Sequence, residues 1–483
     1  MKKNLIKTLI IIPLLLLVGC KPSQPPMDSE ANIGFYYIND THGAFKRQNT
    51  DANYNEAGMA YISSYLKEKK TQNASNNPII LSGGDMFQGG FESNITYGEI
   101  MVDAMNEIGF DAMVLGNHEF DWGEEKLVSI IEKLNCPVIS CNTLYRETNE
   151  RPEYLEPYTI IERNNLKIGI IGAAEEGMGS SITGSISKNF SFPNPIPYIK
   201  SYSYELRTEK ECDLVIAAFH DGGFNGSTYK FGSLCEIDYR TQLGYVDGIF
   251  LAHDHRYKSG NYLGVPYLES GCNGRYVGYM GLSLKRNEAN KFVVNGFQVE
   301  NTNAYRTCTI EDSKVSNLLT VYADAIEQGD KVVYTFKHSY SRDEFARIIC
   351  EAMYWYICEY NDFFDNQEIY FVSHNPGGVR AEVESGPMTL SKLYTVTPFD
   401  NNVYIQKCTE DNLQYMRNQT SSYITYECDE IIYEDGFTHA ATISYLAENE
   451  TYSRYIQVEA KQYEITAKQI LIEYLENNIN ENL

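Results

Sequence analysis

The sequence predicts an α/β protein in two units. Apolar, strand-length runs alternate with helical patterns from residue 33 to about 300, a polar stretch at 312–331 interrupts them, and a second set of elements follows. Alternation of this kind argues for sheets covered by helices. The polar residues also fall in a pattern: histidines, aspartates and an asparagine stand just past the apolar runs, where open α/β sheets build their ligand sites.

In chain order, residues 1–20, "MKKNLIKTLIIIPLLLLVGC", carry Lys2, Lys3 and Lys7, then an apolar run, then a small residue before Cys20. This is the layout of an export signal. Its end, Leu17-Val18-Gly19-Cys20, resembles a bacterial lipobox, which implies that Cys20 is lipidated and becomes the new N-terminus. Buried acyl chains contribute about 0.8 kcal/mol per CH₂, so the expected location is the cell envelope, periplasm-facing or on the outer-membrane surface, with the lipid as the only membrane contact. No later apolar run approaches the about 20 residues of a spanning helix. Residues 21–32, polar with three prolines, read as a tether.

Candidate strands follow at 33–39, 78–84, 111–116, 136–141, 166–174, 213–219 and 247–252, with helical patterns near 57–70, 98–108 and 123–134. From "VPYLESG" to "KFVVNGFQVE" the chain reads as consecutive antiparallel strands. The first unit is thus placed at 33–305, a linker helix at 306–333, centred on 312–331, and a second, smaller α+β unit at 334–483. That unit begins with the helix "RDEFARIICEAMYWYICEY" (342–360), continues with strands such as "QEIYFVS" (367–373) and ends in a helix over 463–478.

A formal net charge of −25 argues against nucleic acid as a partner. An anionic substrate would then need a local positive centre. Of eleven cysteines, ten remain besides Cys20. Cys350 and Cys358 lie eight residues apart in a predicted helix, about 12 Å of rise and too far to bridge. No CxxC occurs, and the sequence assigns no disulfide connectivity.

The chemistry sits in five segments. "NDTHG" (39–43) carries Asp40 and His42, "GGD" ends on Asp85, "GNHEFD" (116–121) carries Asn117, His118 and Asp121, His220 follows "DLVIAAF", and "HDH" (253–255) supplies His253 and His255. Imidazole, carboxylate and carboxamide oxygen suit Zn, Mn, Fe or Mg. A carboxylate can bridge two ions at the roughly 3.5–4 Å of two-metal hydrolases. Taken singly, "DTH" is ordinarily a strand-to-turn cap and "HDH" a surface pair; five strand ends carrying ligand types in order make the signal.

That order resembles the calcineurin-like metallophosphoesterases, and "INDTHGAF", "GGDMFQG", "GNHEFDWG" and "KIGIIG" are similar to the 5′-nucleotidase family. "NPGGVR" (375–380) and "TPFDNNVYIQKCT" (397–409) resemble motifs of that family's C-terminal domain. The resemblance implies a metallophosphoesterase β-sandwich flanked by helices, followed by a 5′-nucleotidase-type substrate-binding domain. It implies two divalent ions, one held by Asp40, His42, Asp85 and His255, the other by Asp85, Asn117, His220 and His253, with Asp85 bridging. His118 would be the catalytic histidine that binds no metal, and Asp121 its orienting partner. Asn375, Arg380, Phe399 and Tyr445 would bind substrate. The implied activity is hydrolysis of a small phosphate ester, first a nucleoside 5′-monophosphate. The alternatives are a nucleotide-sugar diphosphatase, a cyclic-nucleotide phosphodiesterase, or a surface lipoprotein that binds without turnover.

The chain departs from the family at Ala252, which replaces a glycine before the last histidine pair, and at "ENET", where Thr451 stands in place of an aspartate. Arg342 is only loosely placed in the altered "KHSYSRDEFARIICEAM". Cys20→Ser is expected to release the protein from membranes; a variant that still sediments with them after a salt wash would remove the lipoprotein assignment.

Overall fold

The computed structural model describes residues 29–48, 55–72, 77–225, 228–449, 452, 458–477, 479–480 and 483. The signal segment with Cys20, most of the tether and Thr451 lie outside them. Two six-stranded mixed sheets form the first unit. In the first, the strands lie in the order Phe292–Asn303, Tyr276–Arg286, Glu30–Ile38, Ile79–Ser82, Ala112–Val114 and Val138–Ile139. In the second, the order is Tyr257–Tyr262, Val265–Ser270, Gly248–Phe250, Leu214–His220, Leu166–Ala174 and Tyr158–Arg163. The strands from Glu30–Ile38 to Val138–Ile139 in the first sheet, and from Val265–Ser270 to Leu166–Ala174 in the second, run parallel, as in Phe35↔Ile79 and Ile168↔Leu214. The remaining pairings are antiparallel, as in Phe35↔Met280.

The sheets face each other. Phe35, Tyr37, Ile79 and Leu81 of the first pack on Ile168, Ile170, Ile216 and Phe250 of the second. Helices Met59–Gln72, Glu99–Ile108 and Glu124–Lys133 cover the outer face of the first sheet, and Pro195–Thr208 covers the second. Strands buried on both faces read as apolar runs rather than alternations, which is why "IILS" and "LVIAAF" are visible as strands. Helix 99–108 stops where Gly109, at φ 79°, donates its N–H to Met105 O, a left-handed C-terminal cap. Helix 195–208 starts where the Asn194 side chain accepts the Ile196 N–H and Pro195 takes the first turn. The parallel strands all point their carboxyl ends to one rim of the sandwich.

Four expectations need correction. The strand Val265–Ser270 does not pair with Tyr276–Arg286; it belongs to the second sheet, parallel to Gly248–Phe250, and the chain crosses to the first sheet after Gly271. Two edge strands, Tyr158–Arg163 and Tyr257–Tyr262, are not foreseen, the latter because "YKSGNY" is half-exposed or exposed throughout. The linker helix expected within 306–333 is a series of short turns: Ala304–Thr307, Ser313–Ser316, Leu318–Val321, Ala323–Ile326 and Glu327–Asp330. Only Val315 and Gly329 of the stretch 312–331 are buried, so no continuous apolar face supports a long helix. The expected helix at 463–478 divides at Thr466: Val458–Thr466 is a strand and Ala467–Glu476 a helix, opened by a capping box between Thr466 and Gln469.

Beyond residue 331 the chain forms its own core. A five-stranded sheet in the order Ile424–Glu427, Phe371–His374, Thr438–Ile443, Asn402–Cys408 and Val458–Thr466 packs with helices Arg342–Glu359 and Ala467–Glu476 around Phe345, Ile349, Phe371, Ile405 and Leu471. The ten cysteines among the described residues are free, and most are buried. Among the described residues no helix is long and apolar enough to cross a membrane. Phe250, fully buried with ring centroids 5.7 Å from Phe35 and 4.7 Å from Tyr37, fixes the spacing between the sheets. Phe250→Ala is expected to cost about 3–5 kcal/mol, read as a fall in thermal midpoint. An unchanged midpoint would show that the sheets close over the gap.

Candidate metal centre and active site

The five predicted segments meet at that rim. Asp40 and His42 follow strand Glu30–Ile38, Asp85 follows Ile79–Ser82, Asn117 and His118 follow Ala112–Val114, His220 ends its strand, and His253 and His255 follow Gly248–Phe250. Asp40, His42, Asp85, His253 and His255 all have positive φ, between 47° and 77°. Side chains rarely adopt that region, and such strain persists only where surroundings over-determine it. Here the Asp40 N–H donates to Gly84 O, His42 N–H to Asp85 O, His253 N–H to Asp40 Oδ2 and Asn273 N–H to Asp40 O. Gly116 allows a close approach: a Cβ there would stand 2.3 Å from Asp85 Oδ1.

The donor atoms form compact sets. Asp40, His42 and His255 offer ligand atoms within 4.8 Å of one another, and so do Asp85, His220 and His253. His42 Nε2 lies 2.9 Å from His255 Nε2, and His255 Nε2 lies 3.7 Å from Asp40 Oδ1. His220 Nε2 is 3.1 Å from Asp85 Oδ2, 3.1 Å from Asn117 Oδ1 and 3.3 Å from His253 Nδ1. Asp85 also shares a set with His42 and His118, so its carboxylate reaches both sides.

The chemistry fits divalent cations. Asp40 Oδ1 and Asp85 Oδ2 are buried and accept no well-aligned hydrogen bond among the described residues. Such orphaned oxygens are costly unless a cation takes their lone pairs. Burial raises the Asp40 carboxyl to about 7, with His220 opposing and Asp85 reinforcing. Burial also lowers His253 to about 4, with His220 adding, and His255 to about 3, with Arg380 adding. Neutral imidazole is the form that binds metal.

His118 sits differently. Its Nδ1 is 2.8 Å from Asp121 Oδ2 and its Nε2 is 3.1 Å from Arg380 Nη2. Burial alone would lower its pKa, but Asp121 and Asp85 outweigh that and raise it. Arg380 comes from the second unit, and so does Phe399, whose ring stacks on His118 at 5.4 Å and 28°. Asn375, Arg380, Phe399 and Tyr445 line one cavity of about 500 Å³ together with Asp85, Asn117, His118, Asp121, His253 and His255. Arg342, only loosely placed from the sequence, donates from Nε to Val379 O and so braces the segment that carries Arg380. The helix Ser444–Glu448 meets the first unit: Ser185 N–H donates to Glu448 Oε2, and Asn449 Nδ2 to Ser180 O.

Two residues of this rim escape the sequence motifs. Glu119, inside "GNHEFD", is buried and accepts the N–H groups of Asp85, Met86 and Gly116, which ties two ligand loops together. Asn39 donates to Asp40 Oδ2 and accepts the Ser270 N–H. An acid or amide inside a ligand motif is the signal that could have found them.

Residues 34–257 match the calcineurin-like phosphoesterase family. This stretch is a calcineurin-like phosphoesterase domain. A 5′-nucleotidase from Vibrio cholerae is 25% identical over 456 residues, covering 83% of this chain and 78% of the relative. Endonuclease YhcR of Bacillus subtilis is 24% identical over 412 residues, covering 79% of this chain but 32% of that protein. The crystal structure of a 5′-nucleotidase precursor from Thermus thermophilus shares the fold at a TM-score of 0.75 and 17% identity, covering 92% of this chain and 96% of that one. The phosphoesterase domain supplies every donor atom described above, whereas Arg380 and Phe399 lie beyond the matched stretch.

Metal-depleted protein is expected to take up divalent cations at these sets. Asp85→Asn should lower uptake at both, His253→Asn at one. Equilibrium dialysis with Mn²⁺ reads this, and equal losses in the two variants would show that Asp85 does not serve both sets.

Proposed function

We propose that this chain is a dinuclear-metal phosphohydrolase of the cell envelope, acting on nucleotides and first on nucleoside 5′-monophosphates. The observation that carries the reading is His118: a buried imidazole between Asp121 and Arg380, stacked by Phe399, at the wall of the donor sets. In this reading Asp40, His42, Asp85 and His255 hold one ion, and Asp85, Asn117, His220 and His253 the other. When bound, such ions lower the pKa of a coordinated water and polarise a phosphoryl oxygen. They also supply the positive centre that a chain of net charge −25 otherwise lacks.

The chain's own groups do the rest. Asp121 holds the proton of His118 on Nδ1 and leaves Nε2 to accept from Arg380; once the phosphoryl oxygens draw the guanidinium away, Asp121 favours the imidazolium, whose Nε2 proton then goes to the leaving oxygen. Arg380 places a guanidinium beside the phosphoryl oxygens, where charge-assisted hydrogen bonds are strong. Phe399 and Tyr445 offer ring faces to a base, and Asn375, whose buried Oδ1 has no partner among the described residues, offers an acceptor. A cavity roofed by the second unit suits a small ester rather than a polymer, and the acidic chain argues the same way. A nucleotide sugar is the second reading, because the cavity continues to Asn402, Glu448 and Gln462, polar groups that suit sugar hydroxyls.

The test is a phosphate-release assay over nucleoside monophosphates, nucleotide sugars and glycerol phosphate. His118→Asn is expected to lower kcat by roughly 10²–10⁴ with metal content unchanged. Arg380→Ala should raise KM for nucleoside monophosphates, since a charge-assisted hydrogen bond is worth about 1.5–3 kcal/mol, and Phe399→Ala, which also removes the ring packed on His118, should cost more activity on nucleoside monophosphates than on glycerol phosphate. Equal losses on all substrates would remove base recognition from the second unit.

A further inference from the structure

We propose that Glu175, a residue the sequence motifs leave out, is the carboxylate that orients His253 toward the metal centre. It is a positioning residue that sets the affinity of one of the two metal sites. The proposal rests on the two-metal reading above.

The pattern of the ligand histidines points to it. His220 turns Nε2 to Asp85 and leaves Nδ1 2.8 Å from Gly83 O. His42 turns Nε2 to His255 and leaves Nδ1 3.3 Å from Gln88 O. His253 reverses the arrangement: Nδ1 faces His220 at 3.3 Å, and Nε2 stands 3.4 Å from Glu175 Oε2. Two of these rings thus hydrogen-bond to backbone carbonyls, and the third has a charged side chain within ion-pair distance of its outer nitrogen.

Glu175 comes to this place through the fold. It is the first residue after strand Leu166–Ala174, whose last register pair is Ala174↔His220, so its backbone enters the rim at the level of a ligand histidine. Lys230 Nζ lies 3.0 Å from Glu175 Oε1 and 3.0 Å from Asp221 Oδ1. Lys230 therefore occupies one carboxylate oxygen and leaves the other for the imidazole. His253 needs such a brace, because its backbone is strained at φ 77° and its side chain keeps 24% of its exposure, against none for His220. An Nε2–H held by Glu175 fixes the tautomer whose lone pair is on Nδ1 and makes that nitrogen a stronger donor.

The experiment is calorimetric titration of metal-depleted wild-type, Glu175→Gln and Glu175→Ala proteins with Mn²⁺, with thermal midpoints measured alongside. Wild type is expected to show two binding events. Glu175→Ala should weaken one of them about 10–100-fold and leave the other as it was, and Glu175→Gln, which keeps an acceptor oxygen, should weaken the same event less. ¹⁵N spectra of the metal-free proteins should show the His253 ring shifting from the Nε2–H tautomer toward a mixture in Glu175→Ala, which a merely structural role would not produce. Two events of unchanged affinity in Glu175→Ala would overturn the proposal and leave the two-metal reading standing. A wild type that binds fewer than two ions would overturn both.

Discussion

Asp85 is a carboxylate with almost no solvent, placed where two sets of donors that could hold a metal ion overlap. Burying a charge of this kind costs several kcal/mol unless its lone pairs are occupied, and much of the rim is arranged around that cost. Oδ1 accepts the His118 N–H, Oδ2 faces His220, and the Asp85 N–H is received by Glu119. The same Glu119 carboxylate accepts the Gly116 N–H, so the loop carrying Asp85 and the loop carrying Asn117 and His118 are fixed to each other before any substrate arrives. Preorganised groups of this kind need no rearrangement at the moment of reaction.

The donor residues are legible because each stands just past an apolar run, and strands buried on both faces leave an unmistakable trace. "DLVIAAFH" reads as a strand ending on a ligand-type residue, and the strand ends there. Partnership is what the sequence does not carry. "VPYLES" is as apolar as its neighbours, and nothing local states that it joins the second sheet rather than pairing with "YVGYMGLSLKR". Amphipathic spacing at 463–478 suits a helix, but Thr466 with Gln469 makes a start signal in the middle of it, and the capping box decides the boundary. Glu175 escapes for a third reason: a residue that acts through another residue carries no motif of its own, whereas Glu119 at least stands inside one.

The two units divide the work unequally. The first holds all the donor atoms within short loops of one sandwich, whereas the arginine and the phenylalanine ring against His118 arrive from 262 and 281 positions further along the chain, as Arg380 and Phe399. Contacts between the units, such as Asn94 Nδ2 to Pro398 O and Ser185 N to Glu448 Oε2, therefore set the shape of the cavity as much as either core does.

The left-handed backbone at Asp40, His42, Asp85, His253 and His255 has a consequence for how this sequence can drift. At each position glycine would be the conformationally comfortable residue, and asparagine the next. Random substitution toward those residues would relax the loops while discarding a donor group, so under the two-metal reading proposed above selection for stability and selection for metal pull the same five codons in opposite directions. A descendant that lost its need for the metal would be expected to accumulate glycine and asparagine there first, well before its strands changed.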